Sequence, residues 1–119
     1  MDYDFNMGFM KKPLNLTEIL KEQGFKLHST KKSGNFETRH YFWFDAQKSQ
    51  RGVHINYMDG ICGDEKLLQL DPNLVSWAVV TTDTGTNDFD KLKQKNIVIF
   101  LKEHYLAILY DPQKHKEIF

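Results

Sequence analysis

The chain predicts an α+β domain: an antiparallel sheet of about four to six strands, with an N-terminal helix and a second helix near 87–96 packed on one face. Three observations lead there. The spacing of apolar residues changes after Gly24 from a helical period to alternation. Polar turns containing glycine, around Gly34 and Gly52, then separate extended runs rich in aromatics. Capping residues stand before two helical patterns, one opening near Leu16 and one near Asp88.

Taken in order, residues 1–13, "MDYDFNMGFMKKP", read as an N-terminal arm ending at Pro13, with Phe5, Met7, Phe9 and Met10 able to dock it. The domain proper is expected over 14–119. "LNLTEILKEQGF" predicts a helix: Asn15 or Thr17 caps it, Leu16, Ile19 and Leu20 form its apolar stripe, and Gly24 supplies a left-handed stop. "FKLHST", "FETRHYFWFDA" and "VHINYM" predict three strands in an antiparallel meander. "DGICGDE" breaks the chain with two glycines, and "EKLLQL" is a short helical turn stopped by Asp71-Pro72. "LVSWAVVTT" predicts a fourth strand, apolar enough to be central. "TNDFDKLKQ" opens a helix, with Thr86 or Asn87 capping and Asp88 and Asp90 at its positive end. Over 97–102, "NIVIFL" is either the end of that helix or a strand. Its β-branched run favours the strand, because a helix would turn Val98 or Ile99 to water. "YLAILYD" predicts a last strand, ending at Pro112.

Composition bounds the function. A lone cysteine, Cys62, excludes an internal disulfide and a Cys-Cys metal pair, and reads as a small, inert residue in a reducing compartment. The first residues lack the positive end and apolar core of a signal peptide, and no apolar run nears the roughly 18 residues needed to span a bilayer. A cytoplasmic protein with no membrane partner is expected. The net charge is zero yet segregated: residues 11–51 hold nine Lys/Arg against four Asp/Glu, and residues 59–90 hold one Lys against seven Asp/Glu. A dipolar surface of this kind suits a protein partner. A neutral chain weakens the case for nucleic acid. No motif implies a cofactor.

One triplet invites an enzymatic reading. Asp83-Thr84-Gly85 follows an apolar run, as the catalytic triplet of an aspartic protease does. That chemistry needs two carboxylates sharing a proton and a later glycine supporting the active-site loop. The 34 residues after Gly85 contain no glycine. The triplet therefore reads as a strand-to-helix connector in which Gly85 permits a positive φ. The loop oxygens of Asp83, Thr84, Thr86, Asn87 and Asp88 are the residual candidate for a hard cation.

The meander carries the main constellation. A register pairing His28 with Thr38, Phe25 with Tyr41, His40 with Asn56 and Phe42 with His54 sorts the side chains onto two faces. Phe25, Leu27, Tyr41, Trp43, Val53, Ile55 and Tyr57 share one. His28, Thr38, His40, Phe42, Phe44, His54 and Asn56 share the other. Histidines so placed could do acid/base work, bind a metal or simply face solvent or an interface; the last is preferred, and no metal ligand set is assigned. "RHYFWF" puts aromatic bulk on both faces, so the second face is covered by another element or is a binding surface. Candidate binding residues are Lys31, Lys32, His40, Phe42, Phe44, Lys48, Arg51 and His54. Arg39 and Arg51, the only arginines, could hold an anion, with Arg39 on the face opposite the histidines. His104 and His115 stand in loop-like surroundings.

"LTEILKEQGFKLHSTKKSGN" followed by "RHYFWF" resembles the opening of small HicA-type toxins. The resemblance implies a double-stranded-RNA-binding-like α-β-β-β-α fold and a ribonuclease that uses a histidine just after the turn glycine. Asn35 stands at that place and the nearest histidine is His40, so the activity does not carry over.

The expected function is a non-enzymatic interaction protein binding one macromolecular partner, of the immunity-protein, antitoxin or phage-encoded-inhibitor type. The alternatives are a small nuclease or phosphotransfer enzyme with His40 and His54 as acid and base, and a small-molecule binder under the aromatic face.

Overall fold

A computed structural model describes residues 2–34, 36–60, 65–111 and 116–117. Cys62, Pro112 and His115 lie outside the described residues. The chain forms β1 (Asp2–Phe9), α1 (Leu16–Glu22), β2 (Lys26–Ser33), β3 (Phe36–Trp43), β4 (Val53–Asp59), α2 (Glu65–Leu70), β5 (Ser76–Asp83), α3 (Asp88–Tyr105), β6 (Ile108–Asp111) and β7 (Lys116–Glu117). The strands make one open antiparallel sheet in the order β2-β3-β4-β5-β1-β6-β7, with β7 only two residues long. The α+β class and the meander through β4 are as the sequence predicts. No helix among the described residues is long and apolar enough to cross a membrane.

The largest departure is at the start. Residues 2–9 are not an arm but a strand inside the sheet, paired with β5 on one side and β6 on the other. The reason is visible in "DYDFNMGF": Phe5, Met7 and Phe9 alternate with Asp4, Asn6 and Gly8, and all three apolar side chains are buried in the core. Burying them removes enough apolar surface to offset the cost of ordering the segment.

The second departure is 97–102, which is helix. Asp90, Gln94, Ile97, Val98 and Leu101 are all buried, a spacing of four, three, one and three that holds one side of an α-helix. The run is wide enough in apolar residues to spill past that stripe, and Ile99 and Phe100 pack half-buried along its border. Continuous helical hydrogen bonding from the Asn87 cap outweighs the strand preference of the β-branched residues.

Both α1 and α3 lie on one face of the sheet. Leu16 and Leu20 of α1 join Ile97, Val98 and Leu101 of α3 over Tyr41, Ile55, Tyr57 and Val80. The short α2 packs on the opposite face, where Leu67 meets Leu74, Tyr110, Trp77 and Ile108. It covers only the β5-β1-β6 end. The Gly24 stop is confirmed by its φ of 88° and by hydrogen bonds from Gly24 N to Lys21 O and from Phe25 N to Leu20 O. Asn15 occupies the cap position without a side-chain bond, and Thr17 instead bonds the buried Tyr41 hydroxyl at 2.8 Å.

Candidate functional site

The part of the second face that no helix among the described residues covers is built by β2, β3, β4, β5 and β1. Cross-strand pairing sets its rows. One runs Lys26, Phe42, His54, Thr81, Asp4; the next runs Ser29, His40, Asn56, Val79, Asn6. The β3–β4 register is the predicted one, with His40 opposite Asn56 and Phe42 opposite His54. The β2–β3 register is not. Leu27, not Phe25, pairs Tyr41, and a bulge between Leu27 and Ser29 shifts the rest, so that Lys31 faces Thr38. The slip of two residues before the bulge preserves which side chains share a face; at the bulge Ser29 takes the place opposite His40 while the His28 ring still meets the His40 ring, and beyond it Lys31 turns to the histidine side.

On this face the rings form a continuous ladder. Phe44 stacks on Phe42 (centroids 6.0 Å apart), Phe42 on His54 (4.5 Å) and His54 on His40 (5.0 Å), while His28 meets His40 edge-on at 5.1 Å. The spacing is close to the separation of neighbouring strands, roughly 4.8 Å. The rings therefore stand side by side on the sheet and present their edges outward. A nucleobase stacks on a ring that lies flat, so this ladder is a poor platform for single strands.

His40 Nε2 and His54 Nδ1 are 2.7 Å apart. One nitrogen donates and the other accepts, so while the bond holds the pair carries at most one positive charge. Burial, followed by the neighbouring His54 and His28, pushes the His40 pKa below its ordinary value. The mutual bond also occupies one nitrogen on each ring. A phosphodiester-cleaving acid and base need to flank the substrate instead. Among the described residues no group of three or more His, Cys, Asp or Glu side chains is arranged to hold a metal ion.

Two depressions flank the ladder. One, about 380 Å³, is lined by Gly24, Lys26, Leu27, His28, Phe42 and Phe44. The other, about 200 Å³, is lined by Arg51, His54, Thr81, Thr82 and Asp83. Most of the first is walled by exposed side chains, unlike an enclosed ligand pocket. Of the sequence-derived binding residues, His40, Phe42, Phe44 and His54 are contiguous in the ladder. Lys31 borders it on β2, and Arg51 reaches Asp83 (3.8 Å) beside His54. Lys32 points to the other face toward Glu37 (3.9 Å), and Lys48 sits over the Phe89 ring against α3. Arg39 is also on the helix side, bonded to Glu37, Thr17 and Tyr41 and stacked on Tyr57. It is a packing residue, not an anion site.

The turn that feeds the ladder is held from α3. Asp90 Oδ2 accepts from the backbone N–H groups of Gln50, Arg51 and Gly52 (each 2.9 Å) and from the Thr86 hydroxyl (2.6 Å). Burial alone would raise this carboxyl; the hydrogen bonds it accepts, that from the Thr86 hydroxyl first, outweigh it and hold it below the usual carboxylate range. Gly52 has φ 79°, and a Cβ there would meet Trp43 O and the Phe42 ring at 2.6–2.7 Å.

Asp83-Thr84-Gly85 is a connector, as expected. Asp83 Oδ1 accepts from Gly85 N (2.8 Å), and Asn87 caps α3 by accepting from Asp90 N (3.0 Å). Gly85 does not have a positive φ. Its lack of a side chain matters because a Cβ would crowd Asp83 Oδ1 at 3.3 Å. Three of the five residues proposed for a cation have their oxygens engaged within the protein: Asp83 accepts from Gly85 N and faces Arg51, the Thr86 hydroxyl accepts from Arg51 N and donates to Asp90, and Asn87 Oδ1 accepts from Asp90 N. That arrangement does not suit Ca²⁺.

The chain matches no protein-family model, no curated protein and no solved structure.

Proposed function

We propose that this chain is a non-enzymatic interaction protein that binds one macromolecular partner, of the immunity-protein, antitoxin or inhibitor type, through the uncovered half of its sheet. The observation carrying this reading is the five-ring ladder from Phe44 to His28, left uncovered by α1, α2 and α3. An aromatic centre with a polar rim is the composition of a binding surface. Phe44 is 48% exposed in isolation, and a partner would gain by burying it. Lys26 and Lys31 border the ladder and make no ion pair among the described residues, so an acidic contact on the partner is expected. The nuclease alternative has less support, because His40 and His54 bond each other.

The test is a tagged pull-down from native lysate, split into nuclease-treated and untreated halves. A single near-stoichiometric protein in both halves supports the reading. Recovery of nucleic acid alone from the untreated half overturns it and directs attention to nuclease assays of His40 and His54 variants.

A further inference from the structure

We infer that, granted the protein partner proposed above, that partner enters as an extended acidic segment that adds to the free edge of β2 as a further strand. β2 ends the sheet: it pairs with β3 on one side and with no strand among the described residues on the other. All eight of its residues, Lys26–Ser33, are exposed. A strand in that position turns alternate N–H and C=O groups outward, and these pair readily with another extended backbone. The edge is long enough to do so. From Ser29 to Ser33 it runs in unbroken register against His40 to Phe36, a length of roughly 17 Å. The bulge between Leu27 and Ser29 interrupts only its first part. At the opposite end of the sheet β7 is two residues long, too short a template.

Charge selects the occupant. β2 reads "KLHSTKKS", with Lys26, Lys31 and Lys32 and no acid. Lys26 and Lys31 stand on the ladder side, opposite Phe42 and Thr38, and make no ion pair among the described residues. Lys32, on the helix side, lies 3.9 Å from Glu37. Lysines on an edge discourage pairing with a like strand. A second copy adding by the same edge would set lysines against lysines with no acid in either strand, so self-association is disfavoured. The same lysines favour a strand that carries Asp or Glu. The larger depression lies at the start of this edge, between Lys26 and His28 and the rings of Phe42 and Phe44. It gives one apolar side chain of the added strand a place beside Phe44, as side-chain pockets do in other edge-pairing domains. Nucleic acid is the weaker occupant. Its phosphates would meet the lysines but leave the outward C=O groups of β2 without donors, and the edge-on rings give its bases no platform.

The test follows backbone amide resonances of the isotope-labelled full chain during titration with a capped peptide of about eight residues, alternating glutamate and valine. The expected result is a Kd of about 0.1 mM, with the shifts centred on Lys26–Ser33. The same peptide N-methylated through its central residues keeps its charge but loses its backbone donors on both edges, and should bind at least about tenfold more weakly. So should the peptide with lysine in place of glutamate. Lys26→Glu combined with Lys31→Glu should weaken binding of the acidic peptide about tenfold, whereas Lys95→Glu, exposed on α3, should leave it within about twofold. Circular dichroism checks that each variant folds. No shift on β2 at about 1 mM peptide overturns the inference. Equal binding of the N-methylated peptide also overturns it, because charge attraction alone would then be at work. Oligothymidylate shifting β2 more strongly than the acidic peptide overturns it in favour of nucleic acid. None of these results depends on the lysate pull-down, so the edge and the partner reading fail separately.

Discussion

Asp90→Ala tests how the turn before β4, and with it His54, is held. The substitution removes one acceptor from four donors. Two of these bonds, from Gly52 N and the Thr86 hydroxyl, are buried. Each stranded buried donor costs about 1–3 kcal/mol. The N–H groups of Gln50 and Arg51 are only part-buried and can turn to water, adding little. The expected loss is therefore about 2–6 kcal/mol, centred near 4, a large part of the 5–15 kcal/mol that stabilises a typical domain. Asp90→Asn keeps one oxygen but loses the charge, and should cost roughly half as much. Urea unfolding followed by far-UV circular dichroism measures both. The sign with pH is fixed by the depressed carboxyl: its contribution is complete above about pH 4 and is lost as pH falls further. The wild type should lose stability on that acid limb more steeply than Asp90→Asn. A loss below 1 kcal/mol in Asp90→Ala would refute the reasoning, because the turn would then be holding itself.

Gly52→Ala should destabilise by about 1–3 kcal/mol, since it combines a strained positive φ with a clash at Trp43 O and Phe42; shifted aromatic resonances of Phe42 would report the clash. His40 stays neutral in the fold at pH 7, so stability is full above about pH 6.5 and falls as pH drops below it toward the depressed value. Melting temperatures between pH 7.5 and 5.5 should show that fall, and His40→Gln should reduce it. Leu101→Ala, on the buried stripe of α3, should cost about 2–5 kcal/mol, whereas Leu92→Ala at a 58% exposed position should cost less than about 0.5. Equal losses in chemical denaturation would mean the helix is rotated from the phase described.

The meander, α1 and the start of α3 were legible because they rest on local signals: Gly24, the Gly34 and Gly52 turns, the Asn87 cap, and alternation through Tyr41 and Ile55. The first strand was equally legible in its Phe5, Met7, Phe9 alternation, but its pairing partners lie at the far end of the chain, in β5 and β6, and nothing local points to them. Over Ile97–Leu101 two signals conflicted, and the helical cap and register outweighed β-branching. At the site, Phe42, His54 and His40 followed from one correct pairing. Asp4, Asn6 and Thr81 were missed because they reach the face only through β1 and its neighbour β5. The anchoring role of Asp90 was missed because it reads as an ordinary first-turn acid until its distance from Gly52 is known.

The central claim, that the uncovered ring ladder is the partner surface, is tested most directly by matched pull-downs read by quantitative mass spectrometry. The wild type is compared with Phe44→Asp on the ladder and with Leu92→Asp on the far side of α3, all three checked for folding. The account predicts a protein retained by the wild type and Leu92→Asp and lost with Phe44→Asp. Equal recovery by all three would contradict it.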